Sequence, residues 1–293
     1  MQLTRDNYYT PEADWSYMSC SQYQSFLECE AATMARLEGR WKGDDSDAFL
    51  VGNYFHSFME GETAHSQFCE EHFDRIYKTR TSKDGRVTII GKYAAYDAAD
   101  RMIAKCMADP VARRFYDLPG NIEEVMVGSV FGVPWRIRID KRFPDRNIIL
   151  DWKTSANIRD LEYNPITRER ETFVEVYGYL MRAAIYSEIV KQNEHQEYDP
   201  QFIIVAVTKQ DPPDLAVLSL NHRQRWDMEL DQVRTKLPHI MRVKTYQEQA
   251  KRCGICDYCR ATSRVKRIIP YYELKPAFRG EEEYDDFPDT LEV

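Results

Sequence analysis

Two aspartates and a lysine stand close together in the segment IDKRFPDRNIILDWKT. Asp140 precedes Asp151 by eleven residues, and Lys153 follows Asp151 by two. Because alternate residues of a strand project to the same side, Asp151 and Lys153 are predicted to share a face. Two carboxylates can hold a hard divalent cation, while an ammonium positions a water or neutralises a phosphate. The alternative interpretation is a surface ion pair beside a hairpin, which is worth about 0–1 kcal/mol.

The three residues lie in a part of the chain with the patterns of strands. From about residue 119 the segments VMVGSVFG, VPWRIRID and NIILDWKT are predicted strands, and FPDRN is a turn between the last two. This arrangement predicts that Asp140 ends one strand of a hairpin and that Asp151 lies on the next. FIIVAVT, residues 202–208, is a β-branched run typical of a central strand.

Helical spacing of apolar residues surrounds these strands. Helices are predicted over residues 19–40, 48–60 and 173–190, with two more within 220–250. Residues 64–115 are predicted to be mostly helical, with an interrupting turn at TSKDGR. This order indicates an α/β (α+β) protein with a mixed central sheet flanked by helices and with helical additions at both ends.

We expect one compact unit with four parts. Residues 1–115 form a mostly helical region, residues 116–215 the central sheet with the helix after Lys153, and residues 216–270 the C-terminal helices and a cysteine cluster. Residues 271–293 form an acidic tail that we expect to be disordered.

The formal net charge of −8 belongs mainly to the C-terminal end. Residues 281–293 hold seven acids and no Lys or Arg, so the other 280 residues carry a net charge of only −1. A nearly neutral body neither requires nor excludes a nucleic-acid partner. No stretch approaches about 18 consecutive apolar residues, and the first residues lack the pattern of a secretory signal. We therefore expect a cytoplasmic protein without a membrane partner.

Three of the seven cysteines form the pattern Cys253-x-x-Cys256-x-x-Cys259. An odd number of cysteines without a secretory signal argues against a disulfide framework and favours reduced thiols or metal ligands. Thiolates at this spacing can share one ion, but a fourth ligand must come from elsewhere in the chain. Zinc, an iron–sulfur cluster and a buried trio of thiols without metal all stay open.

Around Asp140, Asp151 and Lys153 the sequence resembles the PD-(D/E)XK nuclease superfamily, and in particular the RecB/RecE-type exonucleases of the phage-encoded RecE-like branch. Gly52-x-x-x-His56 is similar to the G-x-x-x-H motif of that branch, and Glu124 corresponds to its additional acid. The segment YGYLMRAAIY is similar to the Q-x-x-x-Y helix, with Tyr186 as the tyrosine and Arg182 in place of the glutamine. The resemblance runs from about residue 19 to residue 260 and implies a restriction-endonuclease-like core.

The resemblance also implies a role for each matching residue. Catalysis is assigned to Asp140, Asp151 and Lys153, and binding of Mg²⁺ or Mn²⁺ to His56, Glu124, Asp140, Asp151 and the main-chain carbonyl of Trp152. A core histidine between Phe55 and Phe58 is the alternative interpretation of His56. Contacts to DNA are expected from Arg182 and Tyr186. Lys209 is added for its position and not for the resemblance, because it follows the last predicted strand on the expected active side; a rigid loop is the alternative interpretation of that segment. Cys29 stands where some RecB-like relatives have the fourth cysteine of a [4Fe–4S] cluster, so Cys29, Cys253, Cys256 and Cys259 form the expected cluster or zinc site.

The function that the resemblance implies is a metal-dependent deoxyribonuclease. It would degrade the ends of linear double-stranded DNA in phage or prophage recombination, inside a bacterial host cell and beside a single-strand annealing protein, and homo-oligomers occur among such enzymes. A single-strand or structure-specific endonuclease is one alternative. A non-catalytic module that binds DNA or a protein partner is another, because Arg182 departs from the motif.

Overall fold

Helices form most of the chain up to residue 117 in the structure, a computed structural model that describes residues 2–42, 47–164, 167–265, 268, 270 and 271. Except for Tyr271, the expected acidic tail lies outside the described residues. In chain order the elements are α1 (Pro11–Ser16), α2 (Cys20–Glu28), α3 (Glu30–Leu37), α4 (Asp47–Glu60), α5 (Glu62–Glu71), α6 (Phe73–Ile76), the hairpin β1 (Tyr77–Thr81) and β2 (Val87–Lys92), α7 (Ala94–Ala108) and α8 (Pro110–Asp117).

Two helical predictions in this region are wrong. The helix over residues 19–40 is divided at Cys29, whose backbone is extended, with φ −164° and ψ 104°. A distant contact accompanies the division, because the N–H of Ala31, which has no partner within the first turn of α3, donates to the carbonyl of Lys251 at 2.9 Å. TSKDGR forms the end of the exposed hairpin β1–β2 and is not a turn between helices. The β-branched residues on both sides of this turn favour strands.

A five-stranded mixed sheet follows and confirms the predicted fold class. Its strands are β3 (Asn121–Val130), β4 (Val133–Phe143), β5 (Ile148–Ser155), β8 (Gln201–Thr208) and β9 (Leu215–Ser219). Between β5 and β8 the chain forms a short hairpin of β6 (Glu162–Tyr163) and β7 (Arg170–Glu171), followed by the helices α9 (Phe173–Val176) and α10 (Tyr179–Glu194). The order is β3-β4-β5-β8-β9, and only β5 and β8 run parallel. The edge strand β9 was not predicted. The chain continues into α11 (Arg223–Lys244) and α12 (Asp257–Ala261).

Two other helices differ from their predicted bounds. The helix over residues 173–190 is split into α9 and α10 at Gly178, which has a left-handed backbone with φ +63°. The two helices predicted within 220–250 are one helix of 22 residues, α11, which continues through Pro238. Pro238 is exposed, so the carbonyl that loses its helical hydrogen bond can bond to water.

The sheet is buried on both faces by separate apolar clusters. One cluster joins it to α2, α10 and α11 and includes Trp135, Ile185 and Trp226. The other joins the sheet to α4 and α7 and includes Phe55 and Trp152. Strand β8 contributes to both clusters, which explains its continuous apolar run. Among the described residues, no helix is both long and apolar enough to cross a membrane.

A fully buried arginine fixes the turn between β4 and β5. Arg142 binds both carboxylate oxygens of Glu194 on α10, with Nε at 3.1 Å and Nη2 at 2.6 Å. Its Nη1 donates to the carbonyls of Phe143 and Ile148 at 3.1 and 2.9 Å, and its Nη2 also donates to Oδ1 of Asn147 at 2.9 Å. This network holds the start of β5 against the end of β4, next to the paired residues that separate Asp140 on β4 from Asp151 on β5.

We expect Arg142→Met to lower the free energy of unfolding by about 3–5 kcal/mol, because it leaves several buried acceptors without a donor. Urea unfolding followed by circular dichroism measures the change. Arg146→Met is a matched control, since Arg146 lies exposed in the same turn, and we expect a change within about 0.5 kcal/mol. Equal effects of the two substitutions would contradict this role of Arg142.

Candidate active site and cysteine cluster

The strands β4 and β5 separate at the two aspartates. Their backbone pairing covers only Lys141 to Phe143 on β4. At the next position the N–H of Trp152 donates to Oδ2 of Asp140 at 2.8 Å, so a side chain takes the place of the strand partner. Strand β4 runs on to Phe143, so Asp140 lies inside the strand and not at its end as predicted.

Three oxygen atoms surround the ammonium of Lys153. Its Nζ lies 2.6 Å from Oδ2 of Asp151, 3.0 Å from the carbonyl oxygen of Trp152 and 3.9 Å from Oδ2 of Asp140. These are three of the four oxygen donors that the resemblance assigned to a metal ion, the fourth being Glu124. The structure therefore brings both aspartates, the carbonyl and the lysine together, with a cation already between the oxygens.

His56 on α4 faces the same group from the other side of β5. Its Nδ1 lies 3.5 Å from Oδ2 of Asp140. Burial lowers the pKa of His56 and outweighs the attraction of Asp140, so the imidazole is neutral at pH 7. A neutral imidazole is the form that ligates metals. Gly52 lies one helical turn earlier, where a Cβ would have Thr154 Oγ1 as its nearest neighbour at 4.0 Å.

The charges at the site stabilise one another. Burial alone would raise the pKa of Asp140, but Lys153, His56 and the Trp152 N–H hold it below its ordinary value. Burial likewise opposes the charge of Lys153, but Asp151 and Asp140 outweigh it and raise the lysine pKa. At neutral pH the site therefore holds ionised Asp140 beside protonated Lys153.

The structure does not bring Glu124 to this group, and it brings the preceding residue instead. Glu124 accepts a hydrogen bond from Asn121 Nδ2 at 2.9 Å and lies opposite Ile139 in the β3–β4 pair. Glu123 is buried, has a left-handed φ of +53°, and binds Nε of Arg138 at 2.7 Å. Burial, and then the negative charge of Asp140, raise the pKa of Glu123 to about 8 against the opposing effect of Arg138.

Of the two α10 residues that we expected to contact DNA, Tyr186 is buried and Arg182 is half-buried beside the site. Tyr186 is 5% exposed, and its hydroxyl donates to the carbonyl of Arg138 at 3.1 Å, so it holds β4 and offers no surface to DNA. Arg182 lies between the rings of Tyr179 and Tyr186, and its Nη1 is 3.7 Å from Oδ1 of Asp151. Its position therefore fits a role in compensating the charge of Asp151.

Lys209 lies at the same end of the sheet as Lys153. It directly follows β8, and its N–H donates to the carbonyl of Ser155 at 2.9 Å. Its side chain is exposed. The expected contact of Lys209 with a phosphate stays a prediction.

The structure brings Cys29 to the three C-terminal cysteines. The sulfurs of Cys29, Cys253, Cys256 and Cys259 all lie within 4.8 Å of one another, and no other three His, Cys, Asp or Glu side chains in the described parts of the chain gather ligand atoms so closely. The Sγ of Cys259 is 3.7 Å from that of Cys29 and 3.9 Å from that of Cys253. The break between α2 and α3 lies at Cys29, and the cluster joins this point to α12.

A backbone turn prepares Cys253 to be a thiolate. Gly254 has φ +80°, and the N–H of Cys256 donates to Sγ of Cys253 at 3.4 Å. Burial alone would raise the pKa of Cys253, but the N–H groups of Ile255 and Cys256 and the neighbouring thiols lower it to about 7. Burial raises the pKa of Cys29 to about 12. One thiolate is therefore available near neutral pH before any metal binds, and Cys29 is deprotonated only with help from a cation.

Comparison with solved structures finds the same fold in another protein. A crystal structure from Eubacterium rectale, described as that of a proposed exonuclease, is similar over 94% of this chain and 98% of its own, with 31% sequence identity and a TM-score of 0.81. The crystal structure of SSO0001 covers 88% of this chain and 96% of its own at 15% identity, and its TM-score of 0.30 is too low to support an inference. No curated protein matches the sequence significantly.

A family match covers the central sheet, the aspartates and the cysteines. Residues 19–262 match the family described as a PDDEXK-like domain of unknown function, DUF3799. This range starts at the residue that caps α2 and ends just after α12. The chain therefore belongs to the PDDEXK-like DUF3799 family, within the PD-(D/E)XK nuclease superfamily.

Proposed function

We propose that this chain is a metal-dependent DNA exonuclease of the RecE-like type, which degrades linear duplex DNA from its ends. The observation that carries the proposal is the convergence of Asp140, Asp151 and the Trp152 carbonyl on one cation, the Lys153 ammonium. Oxygen donors of this kind suit Mg²⁺ and Mn²⁺. Family membership and the similar Eubacterium rectale structure also support a nuclease.

The residues of the site fit a divalent cation. Asp140, Asp151 and the Trp152 carbonyl would hold it, and His56 would add a nitrogen donor that favours Mn²⁺ over Mg²⁺. When bound, such an ion neutralises phosphate charge and lowers the pKa of a bound water. We propose Glu123 in place of Glu124, because the β3–β4 register places it opposite Asp140. Its pKa of about 8 means that it would lose its proton when the ion binds.

We propose that Lys153 acts as a positive charge. In the structure burial opposes its charge, but Asp151 and Asp140 raise its pKa, so the ammonium is protonated at neutral pH. We propose that Lys153 moves from the carboxylates to the phosphate or the attacking water when a divalent ion takes its place. Arg182 stays beside Asp151, with its Nη1 3.7 Å from Oδ1 of that residue.

The biological setting of the proposal follows from the resemblance. We propose that the enzyme works on phage or prophage DNA in the cytoplasm of a bacterial host, together with a single-strand annealing protein, and that it forms homo-oligomers. Recombination by annealing needs a single strand, and an exonuclease that removes the other strand from a duplex end produces it.

Digestion of linear and covalently closed circular DNA of the same sequence tests the proposed activity. We expect Mg²⁺ or Mn²⁺ to support the shortening of the linear duplex and to leave the circle intact, while EDTA stops the reaction. Lys153→Met protein purified in parallel controls for contaminating nucleases. Equal cutting of the circle would favour the endonuclease alternative, and binding of DNA without cutting would favour the non-catalytic module. Either result would contradict an exonuclease.

We also propose that Cys29, Cys253, Cys256 and Cys259 bind one zinc ion. With Zn–S bonds of about 2.3 Å, a tetrahedral site places its sulfurs about 3.8 Å apart. The distances of 3.7 and 3.9 Å agree with this value. In a [4Fe–4S] cluster each thiolate binds a different iron atom, which requires the four sulfurs to be further apart. The spacing therefore favours zinc over the cluster.

A further inference from the structure

The N-terminal segment, residues 2–10, lies across β4 beside the active site and precedes the part of the chain that matches the family. Two contacts anchor it. Arg5 Nη2 is 3.3 Å from Oε2 of Glu60, the last residue of the helix that carries His56. Tyr8 is 7% exposed, and its ring lies 4.8 Å from Cζ of Arg136 on β4.

Tyr9 lies between these anchors and the α1 helix, and its ring is exposed. Cζ of Arg138 lies over the ring at 4.7 Å from the centroid, and Tyr8 contacts it edge-on at 5.0 Å. Arg138 is itself held by Glu123 at 2.7 Å. Tyr9 is nevertheless 67% exposed, so the surface of the ring away from Arg138 is open to solvent.

Arg138 connects the ring of Tyr9 to the candidate site. Its guanidinium lies over the ring at 4.7 Å and binds Glu123 at 2.7 Å. Arg138 also precedes Asp140 by two residues on β4. A large aromatic surface that is fixed from below and open above, at the edge of a phosphodiesterase site, is suited to stacking.

We infer that Tyr9 is a stacking platform for one nucleobase of the DNA strand whose phosphate lies at Asp140 and Asp151. The Arg138 guanidinium already lies over one face of the Tyr9 ring, and the exposed remainder of the ring is an uncharged aromatic surface, which suits a base better than a phosphate. A base offers an uncharged π surface, so stacking on Tyr9 would position the strand without a preference for sequence. The inference rests on the proposed function, since it assumes DNA at this site.

Binding of oligonucleotides to Tyr9 variants tests the inference. Dissociation constants are measured by fluorescence anisotropy with Ca²⁺ present, and a 2-aminopurine base placed at successive positions from the end reports stacking by its quenching. We expect Tyr9→Ala to weaken binding about 5- to 150-fold, the range for loss of one stacked base. Tyr9→Phe and Tyr9→Trp should bind within about 2-fold of wild type, because each keeps an aromatic ring.

A substrate lacking one base gives the sharper comparison. An abasic site at the stacked position should weaken binding to the wild-type chain by the same factor as Tyr9→Ala does with intact DNA. When the abasic DNA and Tyr9→Ala are combined, the dissociation constant should rise no further than with either change alone. Tyr198→Ala is the matched control, since Tyr198 is 81% exposed and precedes β8 at the opposite end of that strand from Lys209. It should bind like wild type.

Three outcomes would overturn the inference. Unchanged binding and quenching in Tyr9→Ala, with DNA still cleaved, would reject the stacking platform and leave the nuclease proposal intact. Equal losses in Tyr9→Ala and Tyr198→Ala would show a general effect of exposed aromatic rings. If the wild-type chain neither bound nor cleaved DNA, the proposed function itself would fail, and the role of Tyr9 with it.

Discussion

The Asp151→Asn variant should degrade linear duplex DNA at least about 1,000-fold more slowly than the wild-type chain, which corresponds to about 4 kcal/mol of transition-state stabilisation. Asparagine keeps the shape of the side chain but removes the charge that pairs with Lys153 at 2.6 Å. Without that charge the site loses an ionised oxygen ligand for the cation. Lys153→Met should cause a loss of similar size, because it removes the ammonium expected at the phosphate.

Unfolding measurements separate the loss of activity from a loss of fold. Mn²⁺ at 100 times its dissociation constant should stabilise the wild-type chain by about 2.7 kcal/mol and should stabilise Asp151→Asn much less. Asp145→Asn is the matched control, because Asp145 lies exposed in the turn between β4 and β5, and it should keep full activity and full Mn²⁺ stabilisation. Wild-type rates in both Asp151→Asn and Lys153→Met would refute the site.

Cys259→Ser should release the metal and lower the free energy of unfolding by about 5 kcal/mol. Cys29 and Cys259 are 230 residues apart in the chain, and a cross-link that closes such a long loop restricts the unfolded state by about this amount. Elemental analysis of the wild-type chain should find one zinc per chain, and the variant should have none. Thermal unfolding measures the accompanying loss of stability.

The control for this experiment is Cys69→Ser, which removes a half-buried thiol outside the cluster. It should keep both the zinc and the wild-type stability to within about 1 kcal/mol. If protein purified without oxygen contained iron and inorganic sulfide, the four cysteines would bind an iron–sulfur cluster and the zinc proposal would be wrong. The absence of both zinc and iron would show that the four thiols bind no metal.

The central sheet could be predicted because its signals are local. The alternating residues in VPWRIRID indicate a strand buried on one face, and the continuous apolar run FIIVAVT indicates a strand buried on both faces. The division of the first helix at Cys29 could not be predicted from local spacing, because the hydrogen-bond partner of the N–H of Ala31 just after it is Lys251, far away in the chain. The strand β9 is short and half-buried, and nothing in LAVLS distinguishes it from a piece of helix.

The candidate site also contains residues that a local pattern predicts and residues that no local pattern predicts. Asp151 and Lys153 follow from the period of a strand, which places residues i and i+2 together. Glu123 was missed because its positive φ changes which acid of the Glu123–Glu124 pair faces Asp140, and no periodic pattern reveals such a change. Cys29 was found through the family resemblance and not through spacing, since no local pattern connects it to a cluster more than 200 residues later.

The hydrogen bond from the Trp152 N–H to Asp140 gives residue 140 two separate roles, one in the backbone and one in the proposed site. The backbone needs an acceptor there, whatever the protein does, and asparagine would supply it as well as aspartate. The proposed metal site needs the negative charge, which only an acid supplies. Asparagine at position 140 would therefore preserve the backbone contact and remove only the charge, so that fold and proposed activity are separable at this residue.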